Sequence, residues 1–162
     1  MSAGEIEPGV PAARIREAFS RWASGVAVAA VREDDQVLAT TVTALVSVSV
    51  NPPLLLVSLG PTAQVLPYLT PGRRFGVSVL AEGQARTASV YADSFPVGAS
   101  AFPAEGDPVI ADALVQIVCV VERVETAADH RLVIARVVAA ETSDGAPLIR
   151  FARAYRRLDR DP

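Results

Sequence analysis

The stretch that most constrains the chain is residues 39–53, Ala-Thr-Thr-Val-Thr-Ala-Leu-Val-Ser-Val-Ser-Val-Asn-Pro-Pro, followed by Leu54-Leu-Leu-Val-Ser-Leu59. Short hydroxyl residues alternate with Val and Leu until a double proline stops the run. Thr41, Thr43, Ser47 and Ser49 are more hydroxyls than a core-filling strand needs, and they are regularly spaced. Extended backbone offers N–H and C=O groups, and small side chains let a flat polar ring approach them. The alternative is an extended segment that turns its hydroxyls to solvent.

The flanking sequence reads as strands joined by tight turns. Ile15, Phe19 and Trp22 recur at helical spacing among arginines, predicting an amphipathic helix of about three turns that ends near Ser24-Gly25, with Gly25 beyond its C-terminus. Residues 26–31 predict a strand, 32–35 a charged turn and 36–42 the returning strand of a hairpin. The unbroken apolar run 54–59 predicts a strand buried on both faces. Thr62 is placed to cap a short helix over 63–69, whose first N–H groups would face an anion. Residues 73–80 predict a strand, 82–91 a helix, 93–106 the longest loop, and 109–124 and 131–140 two long strands. A turn at 143–147 leads to a last hairpin. The fold class expected is mainly β (α+β): an antiparallel split β-barrel with short peripheral helices, not a βαβ array. Residues 1–11 are expected to be a tail, and 12–162 one domain of a size that builds a core.

Composition narrows function by exclusion. All fifteen basic residues are Arg, they are scattered, and the net charge is −3, so no basic stripe points to nucleic acid. The longest apolar run is too short to span a bilayer, and no secretory leader is visible. The single Cys119 fits a reducing, cytoplasmic setting. One His and one Cys make a zinc site improbable, and no metal is expected. Dinucleotide-fold, phosphate-loop, nucleophile-elbow and zinc-protease signatures are absent. A serine–histidine hydrolase would have to use His130, and nothing brings a serine to it. His130 itself reads either as a solvated turn residue or as a neutral hydrogen-bonding group beside a cofactor.

In order along the chain stand Phe19-x-x-Trp22-Ala-Ser-Gly-Val26, Thr41-Val-Thr43, Ser47-Val-Ser-Val-Asn-Pro-Pro53, Leu55-Leu-Val-Ser-Leu59, Arg74-Phe-Gly-Val-Ser-Val-Leu80, Tyr91-Ala92, Asp107-Pro108, Asp129-His130 and Pro147-Leu-Ile149. With this order and spacing the chain resembles the flavin reductase-like family, the FMN-binding split-barrel proteins that include reductase components of two-component monooxygenases. The resemblance implies a homodimer with flavin at the subunit interface. It implies that Thr41, Val42, Thr43 and Ala44 hold the ring through backbone, with Ser47, Val48 and Ser49 on the adjoining strand. The phosphate would lie on the segment from Ser58 to Val65, through Thr62, Ala63 and Gln64. Tyr91 and Ala92 would pack near the cofactor, and His130 would lie near the nicotinamide. The implied activity is hydride transfer from NADH or NADPH to FMN or FAD, with diffusible reduced flavin passing to a flavin-dependent monooxygenase. The flavin carries the chemistry while the protein positions two rings, so no acid–base constellation is required.

The chain departs from the family pattern at several positions. Ala44 and Leu45 stand where a Ser and an aromatic are usual, and Ala63-Gln-Val65 stands where Ser-x-Thr is usual. Ala128 replaces the Gly of a Gly-Asp-His turn, and Ser78 replaces an Asn. A hydrogen bond to a charged group contributes about 1.5–3 kcal/mol, so each lost hydroxyl is expected to weaken phosphate binding roughly ten- to a hundredfold. Arg73 and Arg74 are candidate phosphate partners. Two other readings stand beside the reductase: a split-barrel binding protein with lost or altered flavin binding, and a flavin-dependent enzyme of a biosynthetic step. Residues 115–121 are expected to bury against a second subunit.

Overall fold

The structure, a computed structural model, describes residues 9–93 and 100–158. The expected tail lies almost wholly outside the described residues, as does the first half of the 93–106 loop. Helix α1 spans Ala12–Ser20 and α2 spans Ala85–Ala92. The strands are β1 (Ser24–Gly25), β2 (Ala27–Glu33), β3 (Gln36–Val42), β4 (Leu45–Val50), β5 (Pro53–Leu59), β6 (Arg74–Val79), β7 (Val115–Ala127), β8 (His130–Thr142), β9 (Ile149–Phe151) and β10 (Ala154–Arg156). Seven of them form one antiparallel sheet in the order β3-β2-β6-β7-β8-β5-β4, and β1-β9-β10 form a small second sheet. This is the mainly β, antiparallel split barrel expected. No helix among the described residues is long and apolar enough to cross a membrane.

The two ends of the sheet order, β3 and β4, are consecutive in sequence and joined only by Thr43 and Ala44. The sheet therefore curls back on itself and is split at this junction. The Ser58 N–H donates to the Ala44 carbonyl at 3.0 Å and ties β5 to the seam. Inside the curl, Val42, Val57, Leu59, Phe75, Val77, Cys119, Val121 and Val133 form the main core. A second core of Val26, Val28, Leu80, Tyr91, Phe102, Ile110 and Leu148 lies under α2 and residues 100–114.

Several expectations need correction. The strand buried on both faces is β2, not β5. Ala27, Ala29 and Val31 face the main core while Val28 and Ala30 face the second, whereas β5 alternates buried Leu55, Val57 and Leu59 with half-buried Leu54, Leu56 and Ser58. No helix runs over 63–69: the chain makes turns and one 3-10 turn at Leu66–Tyr68, with Pro67 limiting its length. Helix α1 stops at Ser20, buries no residue, and leaves Phe19 68% and Trp22 74% exposed. Gly25 is then a strand residue, not a cap. The segment 109–114 is not strand, and β7 runs on past 124 to Ala127, so only Ala128-Asp129 separate it from β8. Within residues 115–121, Val118, Cys119 and Val121 are core in their own chain, and the other four are half-buried.

Candidate functional site

The seam opens into a cleft of about 340 Å³ between the end of β3, the end of β5 with the turn after it, the C-terminus of α2, and the first residue of β8. Thr41, Val42, Thr43, Ala44, Ser58, Thr62, Ala63, Gln64, Ala92 and His130 all line it. Residues from four separate stretches of sequence are thus brought to one place. Thr40, Leu59, Gly60 and Asp93 also line the cleft and were not expected. Each is a chain neighbour of an expected residue, so adjacency was the signal available.

The hydroxyls differ in their engagement. Thr41 Oγ1 donates to the Ala88 carbonyl at 2.8 Å and fixes α2 against β3. The side chains of Thr43, Thr62 and Gln64 make no hydrogen bond among the described residues. They line a polar cleft with donors to spare, which is the condition for holding a polar ligand. The helix end that the sequence suggested for an anion is absent, because the segment makes turns and one 3-10 turn at Leu66–Tyr68.

Five expected residues stand elsewhere. Val65 is fully buried in the main core. Tyr91 points into the second core, its hydroxyl accepting the Ala101 N–H at 3.1 Å and its ring 5.3 Å from that of Phe102. Tyr91 thereby anchors the helix that carries Ala92 to the cleft. Ser47, Val48 and Ser49 lie on β4, beyond the cleft, with a register shift between Ser47 and Ser49. All three valines of β4 are exposed, Val50 at 87% and Val46 and Val48 at about half, as is Ser47, whereas Ser49 is half-buried. Hydroxyl alternation alone could not decide which face was solvated.

Arg73 and Arg74 do not reach the cleft. Arg73 bonds Glu33 at 2.6 Å and the Arg32 carbonyl. Arg74 grips both carboxylate oxygens of Asp107 at 2.6 and 2.8 Å. The hydrogen bond from Arg74 holds the Asp107 carboxyl below the usual carboxylate range, against the opposing effect of desolvation. Cys119 is a core residue: burial pushes its thiol up to about 12, so it is not a nucleophile at neutral pH. Among the described residues lining the cleft, His130 carries the one basic side chain. Its Nδ1 lies 2.8 Å from Asp129 Oδ1, and a methyl group placed on Gly60 would stand 3.7 Å from its Nε2.

On the other side of Thr43 and Ala44 lies a larger groove of about 900 Å³, lined by Phe19, Trp22, Leu45, Val46 and Val79, with Arg16, Arg150 and Arg153 at its rim. The junction residues are walls of both. The sequence could not assemble this groove, because its arginines come from opposite ends of the chain.

The family described as "Flavin reductase like domain" matches residues 19–159. The chain belongs to this family. Among flavin reductase relatives, it is 33% identical to an NADH-dependent flavin reductase of a Rhodococcus species, over 98% of this chain and 93% of that protein. It is 35% identical to the reductase component of 4-hydroxyphenylacetate 3-monooxygenase of Thermus thermophilus, over 88% and 94% of the two chains. The solved flavin reductase PheA2 superposes with a TM-score of 0.84 at 31% identity, covering 93% of this chain and all of that one. The flavin reductase fold accounts for the seam: it brings the free donors of Thr43, Thr62 and Gln64 to a cleft between a strand junction and a turn.

Proposed function

We propose that this chain is an NADH-dependent flavin reductase that supplies reduced FMN or FAD to a flavin-dependent monooxygenase. The observation that carries the reading is the polar seam cleft, whose Thr43, Thr62 and Gln64 side chains are unengaged, in a chain whose relatives are named as NADH-dependent flavin reductases and as a monooxygenase reductase component. A bound flavin would supply the hydride acceptor. The residues of the chain would do the holding: the backbone of Thr41, Val42, Thr43 and Ala44 for the ring, and Ser58, Thr62 and Gln64 for the polar tail. The small side chains at Ala44, Ala63 and Ala92 leave room for close approach. With two hydroxyl donors replaced at Ala63 and Val65, binding is weak, which suits flavin that leaves after reduction.

A homodimer completes the unit in this reading. Phe19, Trp22, Val46, Val48 and Val50 are exposed apolar side chains on α1 and edge strand β4, more than an isolated chain normally presents together. The reaction belongs in the cytoplasm, which holds NADH and keeps Cys119 reduced. The test is to follow NADH and NADPH oxidation with FMN, FAD and riboflavin. Turnover that requires flavin and prefers NADH is expected, and no turnover with any flavin would sink the reading.

The second reading, a split-barrel protein with altered flavin binding, draws on the burial of Val65, which leaves that position with no donor to offer. A colourless preparation with a flavin Kd above the millimolar range would favour it.

A further inference from the structure

We propose that Arg32 is a positioning residue of the seam cleft: its guanidinium fixes residues 103–106, and the fixed segment, through Phe102 and Tyr91, sets where α2 delivers Ala92 to the cleft wall. The inference rests on the flavin reading of the cleft and adds to it a residue that does not line it.

Arg32 stands on β2 near the hairpin turn, paired with Val37, whereas the cleft-lining end of β3 pairs with Ala27 and Val28. Its planar guanidinium donates through Nε to the Gly106 carbonyl at 3.0 Å, through Nη1 to that of Ala104 at 3.0 Å and through Nη2 to that of Pro103 at 2.7 Å. The strand end that carries it is itself braced, because Arg73 donates to the Arg32 carbonyl and pairs with Glu33 at 2.6 Å. A flat fork with donors in fixed directions can bind three carbonyls of one turn at once. A lysine ammonium, a compact charge on a flexible stem, is not pre-organised for this.

Residues 100–106 hold no helix or strand. Among the described residues, the side chains outside this segment that bond it are those of Arg32 and Tyr91. Phe102 is its buried anchor, with its ring 5.3 Å from that of Tyr91, and the Tyr91 hydroxyl accepts the Ala101 N–H at 3.1 Å. Tyr91 belongs to α2, which has eight residues. A helix that short does not hold itself, since isolated helices below about 12–15 residues are marginal in water. Its position is set by contacts: Ala88 and Tyr91 buried in the second core, Thr41 Oγ1 on the Ala88 carbonyl, and the Tyr91–Phe102 pair at its last turn. Ala92, next in sequence to Tyr91, lines the cleft. Loosening 103–106 therefore loosens one wall of the cleft, while the strands of the barrel keep their own pairing.

The test applies fluorescence titration with FMN and steady-state kinetics to wild type, Arg32→Gln and Arg32→Lys. Both variants should raise the Kd and the KM for FMN roughly three- to tenfold and leave kcat nearly unchanged, because one wall moves and the other cleft residues do not. Wild-type affinity in Arg32→Lys would show that charge alone suffices and would overturn the assignment to the guanidinium. Amide hydrogen exchange without flavin reads the route: exchange in α2 should quicken severalfold in Arg32→Gln while that of β7 and β8 holds. Equal acceleration in all three elements, a fall in kcat with KM unchanged, or unchanged FMN affinity in both variants would overturn the positioning role and leave the flavin site in place. Failure of folded wild type to bind any flavin would overturn the flavin reading, and this role with it.

Discussion

The Asp129 carboxylate lies 2.8 Å from Nδ1 of His130, and the opposite nitrogen of the ring faces Gly60 across the seam of the barrel. The hydrogen bond from His130 is the main reason the Asp129 carboxyl sits below its ordinary range. The negative charge of Asp129 is therefore retained above that depressed value and is lost as pH falls through it.

Replacing Asp129 with Asn should act through His130 alone. The amide keeps a hydrogen-bond acceptor but removes the charge. Flavin-dependent NADH oxidation is expected to fall roughly three- to tenfold, because the ring loses the carboxylate that fixes its tautomer and orientation. Steady-state kinetics with FMN reads the effect. Unchanged turnover would mean that Asp129 does not orient His130.

The Arg74–Asp107 pair predicts a stability change with a definite sign. Asp107 has a depressed folded-state pKa, so its contribution is fully present above the unfolded value of about 3.9 and is lost as pH falls through the folded one. Both side chains are partly exposed, which limits the effect to about 0.5–1 kcal/mol. Urea unfolding of Asp107→Asn should show that deficit at neutral pH and a smaller one at about pH 3. An equal deficit at both would assign the loss to packing instead.

Gly76 is the position least able to accept a side chain. A Cβ there would meet the Pro108 carbonyl oxygen at 2.2 Å, and the obstruction is backbone. Gly76→Ala should cost about 3 kcal/mol or more, because β6 and the segment at Asp107-Pro108 must separate. Gly25→Ala, with nothing within 4 Å of its Cβ, is the control and should change little. Thermal melts of the two separate steric obstruction from loss of backbone freedom.

Trp22 reports on assembly. It is the only tryptophan, and it is 74% exposed in the single chain. In a dimer that covers α1 and β4 its emission should be blue-shifted and should move to the red on dilution through the dissociation range. Trp22→Asp should give a monomer by sedimentation and lose flavin-dependent activity. A wild-type monomer at micromolar concentration would contradict the shared site.

Much of the fold was legible because strand periodicity and turn residues speak locally. The hairpin of β2 and β3 and the strand β5 fall within a residue or two of expectation. What failed depended on neighbours far along the chain. The burial of β2 on both faces arises because α2 and residues 100–114 cover its outer side, and no pattern within β2 announces that. Similarly, α1 has a helix-period apolar stripe, yet the stripe finds no core in its own chain. At the site, ten of the expected residues converge on one cleft because the motifs sit at strand ends that the barrel seam collects. Val65 and Tyr91 were misplaced because sequence position cannot say which way a side chain turns. Ala128 shows why a glycine is usual there: the turn needs a positive φ, which Ala adopts at a cost of about 1 kcal/mol.

The most direct measurement of the central claim is made without oxygen: NADH is added to the protein with FMN, and the visible absorbance of oxidised flavin is followed. The proposed function predicts rapid bleaching that depends on protein and is slowed by Thr43→Val or Thr62→Val. An unchanged flavin spectrum with FMN, FAD and riboflavin alike, in a preparation shown to be folded, would contradict it.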